Sequence, residues 1–223
     1  PAPKVSVAAA AGPVETPVVV AREETTRWTQ GRIELRCASV RDETADVKTF
    51  RFEPADGSRV RFEYLPGQFV TVELPIDGGT VLRSYSLSSS PSRPDALEVT
   101  VKRVPGGIAS NWLHDHLRAG DRIAVRGPAG RFTCGSAPAE KLLLLSGGSG
   151  ITPVMSMSRF LRDAGLLDGA SKRDVVFFHS ARTLADVPFH DELRAITTAH
   201  RSFRLLVALT RTEARVEPGA APA

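Results

Sequence analysis

The feature that most constrains this chain is a change of pattern near residue 140. Before it, short runs of alternating apolar and polar residues are separated by Gly/Pro turns. After it, the continuous apolar run 142–145 leads through a glycine-rich turn, 146–150, into a helix that Thr152-Pro153 opens. The first pattern belongs to antiparallel sheets, and the second to a parallel sheet flanked by helices. A chain of 223 residues has room for both as separate units.

In the first part, strands are expected at 33–37, 47–52, 69–74, 81–88, 97–104 and 122–125, with turns at Pro66-Gly67 and Asp77-Gly78-Gly79. Short strands with such turns favour a closed antiparallel barrel or a sandwich. One helix interrupts them, with Ser110 as its cap and Trp112, Leu113, His116 and Leu117 as its apolar face. In the second part, strands 141–145, 174–178 and 203–209 alternate with helices at 152–165 and 191–198. The domain reading is a disordered arm over 1–27, a barrel over 28–134, a linker near 136–140, an α/β unit over 141–213 and a disordered tail over 214–223.

Composition excludes several classes. Net charge is +4, with 29 Lys and Arg against 25 Asp and Glu, and the basic residues are scattered rather than gathered into a nucleic-acid-binding stripe. No apolar stretch reaches the length of a membrane span, and residues 1–21 lack the form of a secretory signal, so the cytoplasm is the expected compartment. Cys37 and Cys134 stand far apart and form no metal-type pair. His114 and His116 point in different directions on a helix and are expected to be structural, so no metal site is assigned.

Three segments carry chemistry. In Arg83-Ser84-Tyr85-Ser86, alternation places Arg83 and Tyr85 on one side of a strand and Ser84 and Ser86 on the other. A guanidinium beside a flat phenol suits an anionic cofactor with a flat ring, although a polar strand edge has the same composition. Pro105-Gly106-Gly107-Ile108-Ala109-Ser110 runs into a helix, where backbone amides favour an anion. The turn from Ser146 to Pro153, between a buried strand and a helix, forms a candidate diphosphate cradle. It lacks a Walker-type lysine, which argues against a nucleotide triphosphatase.

Taken in order, these segments resemble the ferredoxin–NADP reductase superfamily. Its pattern is R-x-Y-S, then G-G-x-x-S before a short helix, then G-G-x-G-I-T-P, and all three occur here. The similarity runs from about Arg32 to Arg211. It is greatest to NAD(P)H-dependent reductase components of oxygenases and to hybrid-cluster-type reductases, in which the stretches 111–115 and 178–183 also look familiar.

The resemblance implies an antiparallel six-stranded FAD-binding β-barrel followed by a partial parallel α/β dinucleotide-binding domain. It implies that Arg83 binds the FAD diphosphate, with Ser84 beside it. Tyr85 would lie against the isoalloxazine and Ser86 near its N5, as the catalytic pair. Thr100, Val101 and Lys102 would border the flavin, and Gly107, Ile108, Ala109 and Ser110 would wrap its phosphates. Gly148, Gly150, Thr152 and Pro153 would receive NAD(P)H, with Arg182 and Arg211 at the adenosine end, where arginines serve NADH and NADPH alike.

The implied activity is an FAD-dependent oxidoreductase. It passes electrons from NAD(P)H to an iron–sulfur electron-carrier protein or domain, or to an oxygenase component. Two departures qualify this. No C-G-x-x-x-M-type stretch follows Met157, and no set of four cysteines is present, so the chain resembles a reductase cut short inside its second domain. A flavin-binding electron-transfer or regulatory subunit without NAD(P)H activity, and an inactive fragment, are the alternative readings.

Overall fold

A computed structural model describes residues 25–135, 139–169 and 173–211. Residues 1–24 of the expected arm, 136–138 of the linker and the whole of the expected tail over 214–223 lie outside the described residues.

The first half is a six-stranded antiparallel sheet built from β2 (Gly31–Thr44), β3 (Val47–Pro54), β5 (Phe69–Ile76), β6 (Gly79–Ser86), β7 (Leu97–Lys102) and β8 (Arg122–Ala129). The strands run in the order β6-β5-β8-β2-β3-β7. The sheet closes because its two edges meet: Leu87 bridges Val99, and the Ser88 amide donates to the Glu98 carbonyl at 2.8 Å. Period-two alternation drives the closure. In β5, Val70, Val72, Leu74 and Ile76 point inward while Thr71 and Glu73 do not. The interior gathers Phe50, Phe52, Leu35, Leu74, Leu87 and Leu97, all fully buried and each worth roughly 1.5–3 kcal/mol of transfer free energy. Helix α1 (Ile108–His116) adds Leu113 to this core, followed by Leu117.

The expected arm is corrected at its end. Residues Thr26–Trp28 form β1, which pairs in parallel with β4 (Val60–Phe62). Trp28 is buried, with its ring edge-on to Phe62 at 5.6 Å. A large aromatic gains more from that pocket than a free chain end gains from conformational entropy.

The second half is a three-stranded parallel sheet in the order β11-β10-β9, from β9 (Lys141–Gly147), β10 (Asp174–Ala181) and β11 (Phe203–Leu209). Helices α2 (Ile151–Asp163) and α3 (His190–Ala199) pack on one face with Leu144, Val175, Phe177 and Phe203. Residues 142–145 therefore form a half-buried strand rather than a fully buried one: Leu144 is inside, whereas Leu143 and Leu145 are 62% and 60% exposed. Both helices cover the same face, so every second residue of the run points away from them. The antiparallel barrel and parallel α/β architecture matches the sequence reading.

Candidate cofactor site

Between the two halves lies a cleft of about 610 Å³, lined by residues from all three motifs. Strand β6 contributes Arg83, Ser84, Tyr85 and Ser86, and β7 contributes Thr100, Val101 and Lys102. The turn into α1 contributes Gly106, Gly107, Ile108, Ala109 and Ser110, and the glycine turn after β9 contributes Ser149 and Thr152. These segments are up to 69 residues apart in sequence; barrel closure between β6 and β7 and the docking of α2 bring them together.

Arg83 is exposed, and its Nη1 donates to the neighbouring Leu82 carbonyl at 2.7 Å. Among the described residues no carboxylate pairs with it, so its charge is available to an anion. Tyr85 is half-buried and packs against the barrel core. Burial pushes its phenol above the ordinary tyrosine value, only partly opposed by Arg83, so the ring stays neutral. Arg83 and Tyr85 pair across the strand with Val72 and Val70, while Ser84 pairs with Thr71 and shares a hydroxyl contact with it at 3.0 Å. Both faces of this edge strand nevertheless border the cleft, so the alternation expected to separate the pairs does not remove either from it.

The turn into α1 corrects the expected cap. The helix starts at Ile108 with Gly107 as its N-cap and no side-chain cap bond. Ser110 sits inside the first turn, where its Oγ donates to the Gly107 carbonyl at 3.3 Å and accepts from the Val104 amide at 3.2 Å. The hydroxyl thus braces the turn from behind. Asn111 is the first residue whose amide reaches Gly107 O, at 3.1 Å, so the amides of Ile108, Ala109 and Ser110 have no intrahelical acceptor. A Cβ at Gly107 would stand 2.6 Å from Ser110 Oγ and 3.1 Å from the Val104 carbonyl oxygen, so a side chain there would disturb this brace. His114, on the buried face of this helix, donates from Nε2 to the Val101 carbonyl at 2.9 Å and ties α1 to the β7 border of the cleft.

The glycine turn presents open space. A Cβ at Gly148 or Gly150 would meet nothing within 4 Å, and Gly148 has φ +51°. Thr152 is buried and donates to Ser149 O at 3.2 Å. Gly148, Gly150 and Pro153 lie in this turn without lining the 610 Å³ cleft. Arg182 and Arg211 lie just beyond the carboxyl ends of β10 and β11, joined by an amide-to-carbonyl bond of 2.8 Å. They too stand outside the cleft, and Arg182 pairs with Asp186 at 2.8 Å. The sequence reading missed Val104 as a lining residue, and it named the segments holding Gly106 and Ser149 without singling those two out. Each adjoins a named motif residue, and that adjacency was the available signal.

The site has the chemistry of an FAD cradle: an uncommitted guanidinium, a run of free helix-start amides and a half-buried aromatic face. Comparison with known proteins agrees. Residues 34–134 match the family described as an oxidoreductase FAD-binding domain, and residues 144–220 match the oxidoreductase NAD-binding domain. The chain is 48% identical over 196 residues to the glycine betaine monooxygenase reductase subunit of Chromohalobacter salexigens, covering 88% of this chain and 51% of that one. It is 41% identical over 175 residues to the ferredoxin reductase component of 3-ketosteroid-9-alpha-monooxygenase from Mycobacterium tuberculosis, covering 75% and 47%. Among solved structures, phthalate dioxygenase reductase superposes with a TM-score of 0.68 at 27% identity, over 82% of this chain and 53% of that one. The chain spans about half the length of the curated relatives it matches. With two domain families matched in the order of the motifs, on a fold of the same architecture, the chain belongs to the ferredoxin–NADP reductase superfamily of FAD- and NAD-binding oxidoreductases.

Proposed function

We propose that this chain forms the NAD(P)H-oxidising, FAD-binding part of an oxygenase reductase. The observation that carries the proposal is the shared cleft, in which Arg83–Ser86 chemistry, the Gly107–Ser110 amides and the Ser149–Thr152 turn face one another. Bound FAD supplies the change from two-electron to one-electron transfer. Arg83 and the amides of Ile108, Ala109 and Ser110 hold its diphosphate. With FAD bound, Tyr85 would offer its neutral ring to the flavin and Ser86 would lie near its N5, as the catalytic pair. Ser84, Thr100, Val101 and Lys102 line the flavin pocket.

Gly148, Gly150, Thr152 and Pro153 seat the nicotinamide end of NAD(P)H against that edge. Arg182 and Arg211 meet its adenosine end beyond the strand termini, the place where open parallel sheets bind dinucleotides. Alignment of the two rings, rather than acid–base chemistry, is the protein's contribution to rate. The electron acceptor is an iron–sulfur carrier protein or domain, or an oxygenase component. The relatives support this, being named as reductase components of monooxygenases and as a structure for electron transfer from pyridine nucleotides to [2Fe-2S]. Free Cys37 and Cys134 fit a reducing cytoplasm, and no helix of the described residues is long and apolar enough to cross a membrane.

The test is anaerobic stopped-flow mixing of the FAD-reconstituted chain with NADH and, separately, NADPH. Bleaching of the flavin absorbance by either is the expected result. A chain that binds FAD but keeps its colour is a flavin-binding subunit without nicotinamide activity, and one that takes up no FAD refutes the reading altogether.

A further inference from the structure

The function proposed above uses the first turn of α2 and leaves the rest of that helix unexplained. Thr152, Ser156, Arg159 and Asp163 recur at spacings of four, three and four, so they share one helix face. Thr152 lines the cleft. The other three bond across to the barrel. Ser156 Oγ donates to the Ser89 carbonyl at 2.6 Å, and Asp163 accepts from Arg93 at 2.9 and 3.0 Å. Arg159 Nη1 donates to the Ser88 carbonyl at 2.7 Å and to Glu98 at 2.9 Å. All four barrel partners lie in the stretch 88–98, which joins β6, carrying Arg83–Ser86 chemistry, to β7, carrying Thr100 and Lys102.

Arg159 is the centre of this row. Its side chain is 7% exposed, its Nε and Nη2 donate to Glu192 of α3 at 3.0 and 2.6 Å, and its guanidinium carbon lies 5.0 Å from the centre of the Phe189 ring. A guanidinium held by two carboxylates and a carbonyl is a costly way to glue two surfaces, because apolar packing would stabilise them at least as well. What a rigid, forked donor adds is a single permitted geometry. Here that geometry relates the nicotinamide-side turn to both strands of the flavin cleft.

We propose that Arg159 is a positioning residue that sets the distance and angle between the nicotinamide turn at residues 147–153 and the flavin cleft. The proposal rests on the hydride-transfer reading of that cleft. Its geometric part is tested without catalysis by pulsed dipolar spectroscopy between nitroxides on exposed Ser58→Cys in the barrel and Thr198→Cys in α3, in a Cys134→Ser background. Cys37 is fully buried, out of reach of the label, and burial also pushes its thiol up to about 11. The unsubstituted Arg159 protein gives one narrow distance. Arg159→Met, which keeps the volume, and Arg159→Lys, which keeps the charge but not the fork, broaden or shift it. A distribution that is already broad with Arg159 present, or one unmoved in both variants, overturns the proposal.

In stopped flow, the limiting rate of flavin bleaching in Arg159→Met falls by about a hundredfold, as an ångström of misalignment entails, with FAD occupancy and the half-saturating nucleotide concentration little changed. A lower melting temperature with an unaltered limiting rate is a structural role only, and also overturns it. Should Arg159 variants fail to fold, Glu98→Ala removes one of its acceptors from the barrel side, with the same expected outcomes. If the parent protein binds FAD but does not bleach, the functional reading fails while the distance measurement still decides whether Arg159 fixes the geometry.

Discussion

Arg83 shows how much one side chain is asked to do in this cleft. Its guanidinium is exposed, donates to its neighbour's carbonyl, and pairs with no carboxylate among the described residues. Replacing it with alanine removes a charge-assisted contact worth roughly 1.5–3 kcal/mol, which equilibrium flavin-fluorescence titration reads as a ten- to hundredfold weaker FAD affinity with an unchanged fold. His114 makes a different prediction. Burial holds its imidazole below the ordinary histidine value, despite the raising effect of the Val101 bond, and His179 is lowered by burial as well. Because the folded values lie below the unfolded ones, the unfolded chain binds more protons as pH falls. The stability that neutral His114 and His179 contribute is therefore complete above about pH 6.5 and is lost as pH falls through their folded values. Urea midpoints measured from pH 8 to pH 5 should decline, and His114→Gln should flatten the decline. Arg83 was legible in the sequence because its motif is contiguous. His114's partner was not, since the Val101 carbonyl is brought to it only by the packing of α1 on β7.

At the scale of elements, the contact between barrel and α2 passes through a glycine. Gly67 has φ +98°, and a Cβ there would lie 2.3 Å from the Phe132 carbonyl oxygen and 2.6 Å from Met157 Cε of α2. Gly67→Ala combines a disfavoured backbone with a backbone clash, so denaturant unfolding should show a loss of more than about 1 kcal/mol. The sequence reading took Pro66-Gly67 as a turn, which it is, without seeing that a helix from the other half rests on it. The same limit applies to Ser110. A serine before a helical pattern is the ordinary sign of a cap, but here the helix begins two residues earlier and the hydroxyl braces Val104 and Gly107. Both limits have one cause: local pattern reports where a turn or helix lies, whereas the partner of a side chain depends on what packs beside it.

At the scale of the whole molecule, two separate apolar cores meet across a polar seam of Ser156, Arg159 and Asp163 on one side and residues 88–98 on the other. FAD bound to the barrel at a hundred times its dissociation constant should stabilise it by about 2.7 kcal/mol. Calorimetry should show both cores shifting together while Arg159 is present. In Arg159→Met only the barrel transition should move, because the seam then transmits less of the ligand's effect; identical coupling in the two proteins would contradict this. The outer face of the three-stranded sheet, with Leu143, Leu145 and Leu206 more than half exposed, is the other large-scale feature.

The sequence by itself determined the order of events along the chain: an antiparallel unit of short strands, barrel or sandwich, then a parallel α/β unit, with three motifs whose specificity lay in their order. It could do so because period-two alternation, glycine turns and continuous apolar strands are local consequences of how each segment is buried. Only the tertiary structure decided that the motifs share one cleft, that Arg182 and Arg211 stand outside it, and that α2 is fastened to the barrel through Arg159. Those relations join residues up to 71 positions apart. They arise from sheet closure and helix docking, which depend on the shape and polarity of surfaces that exist only once both halves have folded.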